Sequence, residues 1–199
     1  MVFDLRYLST LPLPDEDRVR QVGLLIRSAM VRRVFPYFRR KRGTDAAQLN
    51  GLSEALTIMR FEDERGVSRL VSLAVKTDQG WTLQIHERIF DYLAFVLPSD
   101  PDARIGDGTV EERKMLAFFE FLLRHEVEHM LYPDHAERSV IEADVAFVLD
   151  QRSADPTTYR ALRHFLADEM NGIEGEDYLA LFDTAERERS IGDATSRVL

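Results

Sequence analysis

Hydrophobic residues near the N-terminus recur every three or four positions, which predicts a long first helix over about residues 15–40. The apolar stripe consists of Val19, Val22, Leu25, Ile26, Ala29, Met30 and Val34. Acidic residues at the start of this segment and arginines near its end suit the helix dipole. Pro36 is expected to kink or end the helix, and the stretch GTDAAQLNG, 43–51, is interpreted as a loop.

The hydrophobic period changes to two between residue 55 and about residue 90. Three segments alternate in this way: ALTIMRF (55–61), SRLVSLAVK (68–76) and WTLQIHERIF (81–90). The short polar stretches between them, DERG (63–66) and TDQG (77–80), are typical of hairpin turns. The pattern therefore predicts three strands in a mostly antiparallel sheet.

The second half of the chain is predicted to be helical. A loop rich in turn formers, 98–108, precedes helices over 109–131, 135 to about 151, and 156 to about 170, and residues after about 171 are expected to form a less ordered tail. An N-terminal helix, a small sheet and C-terminal helices together indicate the α+β class. Its length of 199 residues fits one domain, spanning 1–199.

The amino-acid composition limits both the class of protein and the residue types that could bind a metal. With 45% hydrophobic and 31% charged residues and no long apolar run, the sequence is typical of a soluble globular protein without a membrane segment. The first residues contain no basic leader followed by an apolar run, so a cytoplasmic protein is expected. The chain has no cysteine, so any metal ligands must come from His, Asp and Glu.

The charge of the chain is unevenly distributed. The net charge of −9 makes nucleic acid an unlikely partner. Nine of the 26 basic residues nevertheless lie between Arg18 and Arg42, and they end in the run RRKR. A basic helix face in an acidic protein is more often solvated or paired within the molecule than used to bind phosphates.

Three of the five histidines lie in the stretch HEVEHMLYPDH, 125–135. His125 and His129 continue the apolar stripe of the predicted helix, so both are expected to point inward from the same face. Two imidazoles one helical turn apart can bind a single ion, which is the physical content of the HExxH motif.

The two glutamates between these histidines are expected to differ in position. Glu128 falls on the polar stripe of the helix with Arg124, whereas Glu126 follows Leu122 toward the buried side. In HExxH hydrolases this first glutamate is not a ligand but takes a proton from the attacking water. Glu126 is therefore the candidate catalytic base.

A catalytic zinc site usually has three protein ligands and an open position. His135, six residues after His129, is the nearest candidate, and Pro133 can provide the turn that brings it back. The next helix offers rival acids, Glu137, Glu142 and Asp144. His135 is preferred to Glu142, and acids that are not ligands could orient the imidazoles.

The segment HEVEHMLYPDHAER resembles the active site of small bacterial zincin-like proteins of the YgjP-like and SprT/Wss-related group, predicted or known metal-dependent peptidases. In the YgjP-like family, HExxH is often followed by a Tyr-Pro-x-His turn. The resemblance covers about a dozen of the 199 residues. It implies a zincin-like fold, zinc bound by His125, His129 and His135, and Glu126 as base. Metzincins share the spacing but have glycine where this chain has Tyr132.

These observations favour a zinc-dependent hydrolase, an intracellular metallopeptidase that acts on a protein or peptide substrate. One alternative is a non-catalytic interaction module in which the metal only stabilises the turn after the helix. A third hypothesis is a metal-dependent RNA hydrolase, because the histidine spacing is similar to that of the YbeY-type rRNA-maturation factors and the first helix is basic.

Overall fold

The computed structural model describes residues 14–62, 72–87, 90–91, 94, 110–154, 156, 159–160, 162–163 and 180–187. The chain divides into two compact units, Asp4–Pro133 and Asp134–Leu199, the latter together with Met1–Phe3. The class is α+β, as predicted. The extent of a single domain over 1–199 stays a prediction.

The N-terminal helix begins with α1, Glu16–Ala29, whose first turn is capped by Asp15 Oδ1, 2.7 Å from the backbone nitrogen of Arg18. The helix does not end at Pro36, whereas a kink there stays a prediction. It continues through a π-helical turn, Met30–Val34, a short α-helical turn, Phe35–Tyr37, and a second π-helical turn, Phe38–Arg42. Pro36, which has no backbone N–H to donate, lies in the short α-helical turn between the two π-helical turns.

The N-terminal helix ends at Gly43, which has a left-handed backbone with φ of 67°. A second helix, α2, follows at Ala46–Ala55, where the sequence was interpreted as a loop over 43–51. That interpretation was wrong because Leu49 and Leu52 are buried, and the helix contacts the sheet. Burial of these two side chains outweighs the low helix propensity of Asn50 and Gly51.

The sheet contains three strands, β1 (Leu56–Phe61), β2 (Ser72–Thr77) and β3 (Gly80–His86). Their order is β1-β3-β2, with β3 parallel to β1 and antiparallel to β2. The sheet is therefore mixed and not mostly antiparallel. The central strand β3 is also the one whose side chains are most buried, which agrees with its position between two neighbours.

Of the two predicted hairpins, one is confirmed. The turn from Thr77 to Gly80 joins β2 and β3, which pair directly. The hairpin predicted between the first two strands is wrong because β3 lies between them, and its turn, 63–66, lies outside the described residues. The last strand ends at His86 rather than at residue 90, and Phe90 and Asp91 are helical. The predicted loop 98–108 also lies outside the described residues.

The predicted histidine-bearing helix is confirmed as α3, Val110–Leu131. It packs against strand β2 and against the first π-helical turn of the N-terminal helix. The first unit therefore places α3 between the sheet and the N-terminal helix, so both can supply partners for its side chains.

The second unit contains α4, Glu137–Ala154, and helical residues at 156–163 and 180–187 among those described. Residues 180–187, within the segment expected to be a less ordered tail, are helical. Glu186 accepts a hydrogen bond from the Tyr159 hydroxyl at 2.7 Å, and the rings of Tyr159 and Phe182 stack at 6.2 Å. Within the described ranges, no helix is long and apolar enough to cross a membrane.

Two glycines give a matched test of this fold. Gly80 has φ of 131°, and a Cβ there would lie 2.5 Å from the carbonyl oxygen of Ala55, so Gly80→Ala should destabilise the protein by about 2–4 kcal/mol. Gly51 is helical with no atom within 4 Å of an added Cβ, so Gly51→Ala should stabilise it by about 0.5–1 kcal/mol. Urea unfolding of both variants checks the prediction, and an unchanged midpoint for Gly80→Ala would contradict the close approach of Ala55.

Candidate metal centre

Helix α3 is enclosed on most sides between Phe119 and Leu131. In this segment the charged side chains of Arg124, Glu126 and Glu128 are buried, whereas His125 and His129 are only half-buried. The two histidines share one face, as predicted, but this face is more open than the apolar stripe that it continues. Such a face is suited to binding a solute, because it combines imidazoles with access from solvent.

The imidazoles of His125 and His129 lie side by side. Their Nε2 atoms are 3.2 Å apart, and the ring centroids are separated by 4.8 Å at an interplanar angle of 72°. Two nitrogens bound to one tetrahedral zinc at about 2.0–2.1 Å would lie about 3.3 Å apart. The same separation is also compatible with a hydrogen bond between two neutral imidazoles. The geometry therefore fits two ligands of a single ion without identifying one.

Glu126 lies on the buried side of α3, as predicted, with 4% of its surface exposed. The hydroxyl of Ser72, the first residue of β2, donates to Glu126 Oε1 at 2.6 Å. A short hydrogen bond to a carboxylate fixes its orientation. The sheet thus holds the candidate base beside the two histidines. The sequence did not indicate Ser72, because this contact joins residues 54 positions apart.

Glu128 was expected on a polar stripe, and that prediction was wrong, because its side chain is 0% exposed. Arg42 Nη2 lies 2.7 Å from Glu128 Oε1, and Arg124 Nη1 lies 3.7 Å from Oε2. The N-terminal helix ends against this side of α3 and buries it. The i,i+4 spacing of Arg124 and Glu128 was visible in the sequence, but it is equally typical of an exposed pair.

Two further contacts link α3 to the N-terminal helix. The guanidinium of Arg124 lies over the ring of Tyr37 at 5.7 Å, within the range of a cation–π interaction. Arg33 forms an ion pair with Glu120 at 3.3 Å. Burial raises the pKa of the Glu120 carboxyl, and Arg33 lowers it by less. This ion pair therefore offsets only part of the cost of burying the carboxylate.

The end of α3 is also fixed in position. The predicted end at Leu131 is confirmed, and the backbone N–H of Tyr132 donates to the Glu128 carbonyl at 2.9 Å. The hydroxyls of Tyr132 and Thr44 are 3.1 Å apart and form a hydrogen bond. A turn at Pro133 and Asp134 follows, as the sequence indicated.

The candidate third ligands belong to the second unit. His135 is exposed in a bend, and Glu137 is the first residue of α4. Glu142 is exposed and accepts from Arg138 at 3.3 Å, whereas Asp144 is fully buried. The third ligand, whether His135 or Glu142, therefore stays a prediction.

Comparison with known proteins gives no independent evidence of a family or a function for this chain. No protein-family model matches the sequence, and no curated protein or solved structure is significantly similar to it. The site must therefore be judged on its own geometry.

The buried ion pair gives a test of how α3 is held. Glu128→Ala would leave Arg124 buried without the carboxylate that faces it, so the free energy of unfolding should fall by about 3 kcal/mol. Glu142→Ala removes an exposed carboxylate on a helix and should change stability by no more than about 0.5 kcal/mol. Urea unfolding followed by circular dichroism measures both, and equal effects would show that Glu128 is not a buried partner.

Proposed function

We propose that this protein is a zinc-dependent hydrolase, in which His125 and His129 bind the metal and Glu126 is the general base. The observation that carries the proposal is the 3.2 Å separation of the two Nε2 atoms on a half-open helix face, next to a buried glutamate held by Ser72. Imidazole pairs with this spacing and an adjacent carboxylate are the components of an HExxH hydrolase. The cytoplasmic location expected from the sequence is part of the same proposal.

The third ligand in this proposal is His135, with Glu142 as the alternative. His135 lies only six residues after His129, a distance that the turn at Pro133 allows the chain to cover. Glu137, eight residues after His129, is a further candidate by the same reasoning. Three protein ligands would leave one position for water or substrate, as in other catalytic zinc sites.

The roles of the protein groups follow from their positions. When bound, zinc acts as a Lewis acid that polarises a carbonyl and makes water more acidic. Glu126 takes a proton from the attacking water and passes it to the leaving nitrogen. Ser72 holds Oε1 of this carboxylate, so the transferred proton is expected at Oε2. A peptide or protein substrate is favoured because amide hydrolysis is the usual reaction of the HExxH motif.

Metal content is the first test. We expect about one equivalent of zinc in tag-free wild type by elemental mass spectrometry, and loss of zinc in His125→Ala, His129→Ala and His135→Ala. Glu137→Ala and Glu142→Ala should retain it, and loss in either would reassign the third ligand. If wild type binds no zinc even when the ion is added back, the imidazole pair is a hydrogen bond within the protein and the proposed function is wrong.

The role of Glu126 is tested by Glu126→Gln, which keeps the shape of the side chain but removes the base. Hydrolysis of fluorescently labelled casein should fall at least about 100-fold, while the zinc content stays that of wild type. Ser53→Ala, a change at a partly buried surface residue of α2, is the control and should not alter the rate. Zinc binding without casein hydrolysis in wild type would favour the non-catalytic module, whereas cleavage of RNA instead of casein would favour the third hypothesis.

A further inference from the structure

The carboxylate of Glu128 lies next to the candidate ligand His129 in sequence but is completely buried. It forms a short ion pair with Arg42, at 2.7 Å, and these residues are 86 positions apart. Burying the Glu128 carboxylate is costly unless a cation balances its charge, and Arg42, whose side chain is 37% exposed, is such a cation. The short contact therefore also sets where the end of the N-terminal helix lies against α3.

A second contact fixes the same end of α3. Thr44 bonds to the hydroxyl of Tyr132, so residues on both sides of Gly43 reach the last turn of the helix. Gly43 allows this because its left-handed backbone ends the N-terminal helix and reverses the chain, and the N–H of Thr44 still bonds to the Phe38 carbonyl at 3.3 Å. Arg42 and Thr44 thus hold Glu128 and Tyr132, the residues on either side of the segment that contains His129.

Arg42 differs from Arg39 and Arg40, two of the basic residues that precede it. Arg39 and Arg40 are exposed and form no ion pair with any residue that the structure describes. Their charge suits the C-terminal end of the helix, where cations are stabilised by the dipole. Arg42 makes a specific, short contact in addition, so its position cannot be explained by the dipole alone.

We propose that Arg42 is a positioning residue for the metal centre. Through Glu128 it fixes the rotation of the last turn of α3, and this rotation keeps His129 Nε2 at the distance from His125 Nε2 that one ion requires. Residues that orient metal ligands without binding the metal themselves commonly lower the metal affinity by about 10–100-fold when they are removed. This inference rests on the proposed metal site, and it adds Arg42 as the residue that maintains the geometry of that site.

The test compares Arg42→Met with Arg60→Met. Arg60 pairs with Asp91 through two bonds of 2.9 Å, and also with Glu62 and Glu87, all in the same unit, so its removal costs at least as many ion-pair contacts as removal of Arg42. Zinc affinity is measured by competition with a chelator, the Co²⁺-substituted proteins are compared by visible absorption, and the melting temperature is recorded without metal.

We expect both variants to melt below wild type. Only Arg42→Met should weaken zinc binding, by about tenfold or more, and change the visible Co²⁺ spectrum. Arg42→Lys, which keeps the charge but not the planar guanidinium, should recover part of the affinity. If Arg42→Met does not fold, Thr44→Val replaces the hydroxyl of the same contact region by a methyl group and should shift the zinc affinity in the same direction.

The result that would overturn this inference is zinc affinity and a Co²⁺ spectrum equal to those of wild type in folded Arg42→Met and Thr44→Val. An equal loss of affinity in Arg60→Met would also overturn it, because the effect would then follow stability alone. If wild type itself binds no metal, the proposed function is wrong, and the positioning role of Arg42 is wrong with it. This outcome is distinguished from the others because it is seen in wild type and not only in the variants.

Discussion

Of the described ion pairs between the histidine-bearing helix and the N-terminal helix, the one between Arg42 and Glu128 is the shortest, at 2.7 Å. Glu128 is fully buried, so its charge has to be balanced within the protein, and Arg42 and Arg124 face it from two directions. This requirement limits how α3 can rotate against its neighbour. Since both histidines lie within a few residues of Glu128 on the same helix, their positions depend on that limit.

The other side of α3 is held in a different way. Successive residues of a helix are turned by about 100°, so Glu126 and Glu128 lie on opposite sides of the face shared by His125 and His129. Strand β2 holds Glu126 through Ser72, and the end of the N-terminal helix holds Glu128 through Arg42. The imidazoles thus lie between two anchored carboxylates, which is the arrangement expected of a site with fixed geometry.

Features that depend on neighbouring residues were predicted well, and features that depend on distant ones were not. The helix Val110–Leu131 and the turn from Thr77 to Gly80 follow from periodicity and turn chemistry over a few residues. The parallel pairing of β1 with β3 is not encoded in any local pattern, because alternation within a strand is the same for either neighbour. Helix α2 was missed for a similar reason, since the burial of Leu49 and Leu52 against the sheet stabilises it.

The sequence by itself determined that His125 and His129 share a helix face and that Glu126 and Glu128 flank it, because helical geometry fixes these relations once the helix forms. Only the tertiary structure decided that Glu128 is buried, that Ser72 bonds to Glu126 and that the histidine face stays half-open. A helix has several faces, and its sequence shows which residues share each one. Which face is covered depends on elements that are distant in sequence, and their packing follows from the whole chain.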